Sequence, residues 1–141
     1  MNGLKEKMTP VGLLWLRVLT GLGIATQHGF GKVFGGNISQ FAEGVAELGF
    51  PFAIFFAWMA ALTEFLGGIL ITAGLGTRIA AGFLFINMAV AAFIRHAPDP
   101  FGRKELAFAY LMASGAILLL GPGKYSLDNL ITKWCSRNSS K

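Results

Sequence analysis

The chain predicts an all-α integral membrane fold, a four-transmembrane-helix bundle with a short amphipathic interfacial helix between helices one and two. Three observations carry that prediction. Four apolar runs, at 11–30, 50–75, 79–97 and 106–121, approach the roughly 20 residues a helix needs to cross the hydrocarbon core. Of the 141 residues, 54% are hydrophobic and only 13% charged, with a mean hydropathy of +0.59. A soluble domain of that size cannot cover so much apolar surface. The charges fall mostly between the runs and at the ends, and the exceptions are Arg17 and Glu64, each near the middle of a run.

Residues 1–10 read as a polar cytoplasmic leader, 11–123 as one membrane domain and 124–141 as a polar cytoplasmic tail. Pro10 suits a helix start, because its missing N–H would be unpaired there anyway. Lys5 and Lys7 resemble the basic flank of a signal peptide, but Arg17 interrupts the apolar stretch and no small-residue cleavage pattern follows, so a retained first helix is expected. Along it Arg17, Gly21, Ile24, His28 and Lys32 recur at steps of four, three, four and four and share one face. Eleven residues separate Arg17 from His28, roughly 16 Å of rise, which places the first deep and the second near the surface.

The connection 37–49 has helical periodicity of its own. Ile38, Phe41, Ala42, Val45 and Leu48 form an apolar stripe, with Asn37 at the cap position and Gly49 and Pro51 as the stop. It is too short to span and is predicted to lie on the membrane or cap the bundle. Helix two places Ala57, Ala60, Ala61, Glu64, Gly67 and Gly68 on one face, small residues that let another helix approach closely. The turn 74–78 leads into helix three, where Ala80, Phe83, Asn87, Ala91 and Ile94 share a face. Arg95 and His96 end it, and Pro98 and Pro100 force a loop. Helix four carries Tyr110 and Ser114 on one face and stops at Gly121-Pro122-Gly123.

Four spans put both termini on one side. That side holds seven of the 12 basic residues (Lys5, Lys7, Arg78, Lys124, Lys133, Arg137 and Lys141), against Lys32, Arg95, Arg103 and Lys104 opposite, so both termini are expected in the cytoplasm. The net charge of +5 is spread over ends and loops as membrane-flanking charge, not as a nucleic-acid surface. The single Cys135 excludes an intramolecular disulfide and any C-x-x-C dithiol chemistry.

Arg17 and Glu64 have opposite sign and lie in consecutive spans, so they are expected to pair. A charge at mid-membrane depth costs several kcal/mol unless partnered, and such residues usually face the bundle interior. The pair is either a structural ion pair fixing helix register or a head-group and proton site, in which Arg17 steadies a partly negative oxygen and Glu64 relays a proton. Nearer the outer face, His28, Lys32 and His96, with Asn87 deeper, complete a polar funnel that forms the candidate ligand or proton site. Two histidines without a fixed spacing make no metal or haem motif, and no metal is expected.

Three segments in order carry a family resemblance: Arg17 leading to H-G-F-G-K (28–32), E-F-L-G-G-I-L-I-T-A-G-L-G-T-R-I-A-A (64–81) and G-P-G-K-Y-S-L-D (121–128). Together they resemble the DoxX family of small membrane proteins over nearly the whole chain. The resemblance implies four transmembrane helices in a bacterial or archaeal inner membrane and association with membrane redox systems, including the small-subunit type of thiosulfate:quinone oxidoreductase and complexes handling thiol or oxidative stress. It carries Arg17, His28, Lys32, Glu64, Arg78 and Asp128 over as the family's polar positions.

The function expected on these grounds is a membrane subunit of a quinone-linked oxidoreductase, taking a quinone head near Arg17 and Glu64 and electrons from a soluble redox partner protein. The alternative is a non-catalytic membrane anchor or assembly partner in which the Arg17/Glu64 pair is architectural. A weaker third is a small proton-coupled transporter acting as a homodimer through the glycine stripe of helix two. Membrane lipid surrounds the bundle in every case.

Overall fold

Every regular element among the described residues is a helix. The computed structural model describes residues 2–138, with side chains from Met8 onward. Met1, residues 139–141 and the side chains of Lys5 and Lys7, which entered the charge count, lie outside what is described. The elements are α1 (Asn2–Ile24), α2 (Phe30–Phe34), α3 (Ile38–Glu47), α4 (Ala53–Leu62), α5 (Gly68–Ala73), α6 (Thr77–Val90), α7 (Phe101–Leu120) and α8 (Leu127–Asn138). Single π-helical turns at Ala25–Gly29 and Thr63–Gly67 fuse α1 to α2 and α4 to α5, and a third at Ala91–Arg95 extends α6.

Three of the resulting helices are long and apolar enough to cross a membrane: Met8–Phe34, Ala53–Ala73 and Thr77–Arg95. The 20-residue α7 carries Arg103, Lys104 and Glu105 near its start, which sets it apart in composition although it packs along α6 like its neighbours. The long helices form a closed square: α1 lies against α5 and α7, and α6 against the same two. Ile24, Ile71, Ala81, Leu84, Met88, Leu111 and Ile117 fill its centre.

Close approach depends on glycine. A Cβ on Gly21 would fall 2.4 Å from the Gly68 carbonyl, and one on Gly68 would fall 2.6 Å from that of Gly21, so α1 and α5 cross backbone to backbone. Gly68, on the small-residue face of helix two, is thereby used inside the chain.

Two helix boundaries differ from expectation. α1 begins at Asn2, not at Pro10: the strong helix formers Leu4, Lys5, Glu6, Lys7 and Met8 carry the helix through the proline at the loss of one backbone hydrogen bond. The tail is not merely polar, since α8 shows Leu127, Leu130, Ile131 and Trp134 at steps of three, one and three as an exposed stripe. The expected helix between spans one and two is present as α3, with Asn37 at its cap position but making no side-chain capping bond, and with Gly49 (φ 82) ending the turn behind it. Its apolar side faces α4.

Candidate functional site

A π-turn inserts one extra residue into a helical turn and rotates everything beyond it. In the first span this re-aims the face that α-helical spacing assigns. Gly29, not His28, then meets the second span, where a Cβ would sit 2.4 Å from the Phe65 backbone nitrogen. The π-turns at Ala25–Gly29 and Thr63–Gly67 therefore touch main chain to main chain. His28 turns instead to α7, where its ring stands edge-on to Tyr110 at 6.0 Å. One turn beyond Gly29, Lys32 comes to Glu64.

That contact is the polar centre of the membrane domain. The Lys32 ammonium donates to both Glu64 carboxylate oxygens, at 2.8 and 2.6 Å, and the Asn87 amide donates to Oε1 at 3.2 Å. The Glu64 side chain is 5% exposed and that of Lys32 is 24% exposed. Glu64 lies ten residues from Gly74, roughly 15 Å into its helix, so the carboxylate is at mid-span depth. Bonding capacity remains: a carboxylate offers about four acceptor positions and receives three bonds here. The Lys32 ammonium also sits 4.4 Å above the Phe41 ring of α3, a cation–π contact.

These groups line a cavity of about 450 Å³. Its floor is Glu64, Lys32 and Asn87; its walls include Phe41, Phe50, Phe56 and Phe83; and its mouth carries Arg95 and His96. α3 forms one side, where a Cβ on Gly44 would lie 3.4 Å from the Arg95 guanidinium and Glu47 pairs with Arg95 at 3.6 Å. At the rim His96 Nδ1 meets Asp99 at 2.7 Å, and Arg103 lies 3.9 Å from the same carboxylate. The hydrogen bond with His96 holds the Asp99 carboxyl below its ordinary value, with Arg103 adding to the effect. Small cavities that combine aromatic walls with a few convergent polar groups are the usual form of a ligand site.

The expected Arg17–Glu64 pair does not form. Arg17 is 1% exposed and donates to the carbonyls of Pro122 and Tyr125, the second at 2.7 Å. Because α1 runs antiparallel to the second span, with Gly29 at Phe65 and Gly21 at Gly68, Arg17 falls level with the turn after α5 and the end of α7, not with Glu64. A Cβ on Gly74 would lie 2.5 Å from its guanidinium, and Gly74 holds φ 72, so this position requires glycine twice over. Nearby, the Asp128 carboxylate accepts from the Gly76 and Thr77 N–H groups and the Thr77 hydroxyl, at 2.8, 3.0 and 2.9 Å. It caps the start of α6 from 51 residues downstream. Burial pushes the Asp128 carboxyl up, but those hydrogen bonds, with the charge of Arg17, hold it below its ordinary value.

Of the six predicted site residues, the structure brings Lys32, Glu64, Asn87 and His96 to one cavity. It places His28 between α1 and α7, and Arg17 at the opposite end. Arg95, which the sequence marks only as the end of helix three, lines the mouth, and Phe41 stands over Lys32. The signal for Phe41 was its position on the apolar stripe of α3; nothing in the spacing shows which way that stripe faces.

The comparisons agree with this architecture. The DoxX family model matches residues 12–97, which include Lys32, Glu64 and Asn87. The chain is 35% identical over 133 residues to "Inner membrane protein YqjF" of Escherichia coli (strain K12), covering 91% of this chain and 98% of that one. It is likewise 35% identical over 132 residues to "Putative oxidoreductase CatD" of Bacillus subtilis (strain 168), covering 91% and 92%. No solved structure matches. A family model over more than half the chain and two near-full-length relatives make the assignment plain: this membrane-type helical protein belongs to the DoxX family.

Proposed function

We propose that this protein is a four-span inner-membrane subunit of a quinone-linked oxidoreductase, and that the Lys32–Glu64–Asn87 cavity takes the quinone head. α7 is the fourth span in this reading, with Arg103, Lys104 and Glu105 at the water boundary, and both termini are cytoplasmic. The observation that carries it is a buried carboxylate–ammonium pair with spare hydrogen-bonding capacity at the floor of an aromatic-walled cavity. A ring carbonyl needs a donor, and Lys32, Asn87, Arg95 and His96 all line the space. The walls of Phe41, Phe50, Phe56 and Phe83 suit a flat ring. The fit is therefore good on both chemical and steric grounds.

A quinone, when bound, supplies a two-electron, two-proton acceptor. The chain's own residues supply the rest. Lys32 and Asn87 orient a carbonyl oxygen, and Glu64 holds a proton position at mid-span depth. His96 and Asp99 at the rim form a proton-exchanging pair at the water boundary. α3 and the phenylalanine walls exclude water. Electrons come from a partner protein, since no redox-active pair of cysteines exists in the chain. The relative named as an oxidoreductase supports this class of role.

The test is extraction and chromatography of detergent-purified protein, comparing retained quinone in the parent, Glu64→Gln and Lys32→Met. Near-stoichiometric quinone in the parent, lost in folded variants, supports the reading; no enrichment over bulk lipid in the parent sinks it. A second reading, a membrane anchor for a soluble partner, is favoured by one observation: α8 presents Leu127, Leu130, Ile131 and Trp134 outward beside Lys133 and Arg137. Partner capture that depends on α8 and not on Glu64 would favour that alternative.

A further inference from the structure

A second cavity, of about 470 Å³, lies between the second and third spans on their outward side. Leu62, Leu70, Ile79 and Phe83 border it, all of them exposed on the surface that meets lipid. It runs from Met59 past Leu70 to the turn at Leu75, and the eleven residues from Met59 to Leu70 alone give it roughly 16 Å of length. Its character is hydrocarbon throughout, unlike the cavity at Glu64. Yet the two are adjacent, for Met59, Thr63 and Phe83 line both. Thr63 directly precedes Glu64, so a single residue separates the carboxylate from the lining of the groove. Gly67 keeps the floor open: a Cβ there would meet nothing nearer than 3.9 Å.

We propose that this groove holds the hydrocarbon tail of the same molecule whose polar head occupies the Lys32–Glu64 cavity. The ligand class is then an uncharged polar head on a tail long enough to run one half of the bilayer, and it enters sideways from the membrane past Met59, Thr63 and Phe83. The inference rests on the head-group reading of the inner cavity and adds the tail site and the route. An unconnected lipid chain could lie in any surface groove; a wall shared with the polar cavity through Met59, Thr63 and Phe83 singles out a head-and-tail ligand here. Since lipid is as apolar as the groove, the tail gains little by transfer and is held by packing and by its attachment to the head. Its location is therefore the better readout than its affinity.

The probe is a benzoquinone carrying a decyl chain tipped with a diazirine, photolysed with the full-length protein in lipid nanodiscs and mapped by mass spectrometry. Retention of tail-less benzoquinone is measured alongside. Adducts should concentrate on Leu70, Leu75 and Ile79 and fall at least about tenfold when tail-less quinone is present at more than about ten times its own Kd. They should also disappear from those positions in Gly67→Leu, while that variant keeps its retention of the tail-less head, which reports that it is folded. Adducts spread evenly over lipid-facing Leu19, Phe93 and Leu119, with head retention intact, overturn the tail site and leave the head site standing. Groove labelling that survives Glu64→Gln undiminished also overturns it, because the groove then takes any lipid chain. Absence of saturable head retention in the parent overturns the head-group reading, and the tail site with it.

Discussion

One end of this bundle and its middle treat buried charge in opposite ways. At the end where α5 turns into α6, Arg17 and Asp128 spend their hydrogen bonds mainly on main-chain groups: the carbonyls of Pro122 and Tyr125, and the N–H groups of Gly76 and Thr77. At mid-span, Glu64 and Lys32 bond to each other and to Asn87, beside open space. Side chains bonded to backbone tie chain segments together and leave no room for a ligand. Side chains bonded to side chains within a cavity can exchange partners. The difference separates architecture from chemistry among charged residues that look alike in sequence.

Four substitutions or conditions test that contrast, from the largest effect to the smallest. Lys32→Met should cost about 3–5 kcal/mol, since it strands a carboxylate that is almost fully buried. Adding Glu64→Gln should recover most of that, read by thermal unfolding in detergent; a double variant no more stable than the single would show that the pair is not an independent unit. Gly29→Ala should cost about 1–3 kcal/mol by driving a methyl into the Phe65 backbone, and should also lower quinone retention, because the contact sets Lys32 against Glu64. Unchanged retention in that variant would detach the π-turn contact from the cavity.

Arg17→Ala should cost about 2 kcal/mol through the two carbonyls it leaves short of a donor. Here the contrast is sharpest: retained quinone per folded molecule should equal that of the parent, and a selective loss would move Arg17 into the ligand site. The smallest effect concerns acid. Because the folded Asp128 carboxyl lies below its ordinary 3.8, its contribution is complete above that value and disappears as pH falls through the folded value. Asp128→Ala should therefore be less stable than the parent by about 1 kcal/mol at neutral pH, and the two unfolding curves should converge in strong acid. Parallel curves at all pH values would assign the effect to something other than the carboxylate.

Much of the fold was legible because run length and small-residue spacing are properties of single helices. The apolar runs, the α3 segment and the Ala57–Gly68 face all follow from local periodicity. The Arg17–Glu64 pairing failed because it compared depths across helices. Both residues lie mid-run, but their relative depth depends on which residues cross, and Gly21 crosses at Gly68, which leaves Arg17 beside Gly74. His28 was misplaced for a related reason. Fixed α-helical spacing cannot see a π-turn, and one added residue at Ala25–Gly29 sends His28 to Tyr110 and gives its place to Gly29. α8 was hidden by composition: Lys124, Asp128, Lys133 and Arg137 mask the apolar stripe running between them.

The bonds of Arg17 reach partners 105 and 108 positions later in the chain. During synthesis, the first helix therefore enters the membrane with a guanidinium whose acceptors have not yet been made. Until Tyr125 emerges, that charge must stay hydrated at the membrane surface, and the helix is free to slide in depth. Closure of the bundle is thus a late event that couples the two ends of the polypeptide, and a chain truncated before Pro122 would hold all three long apolar helices yet have no means of finishing its first.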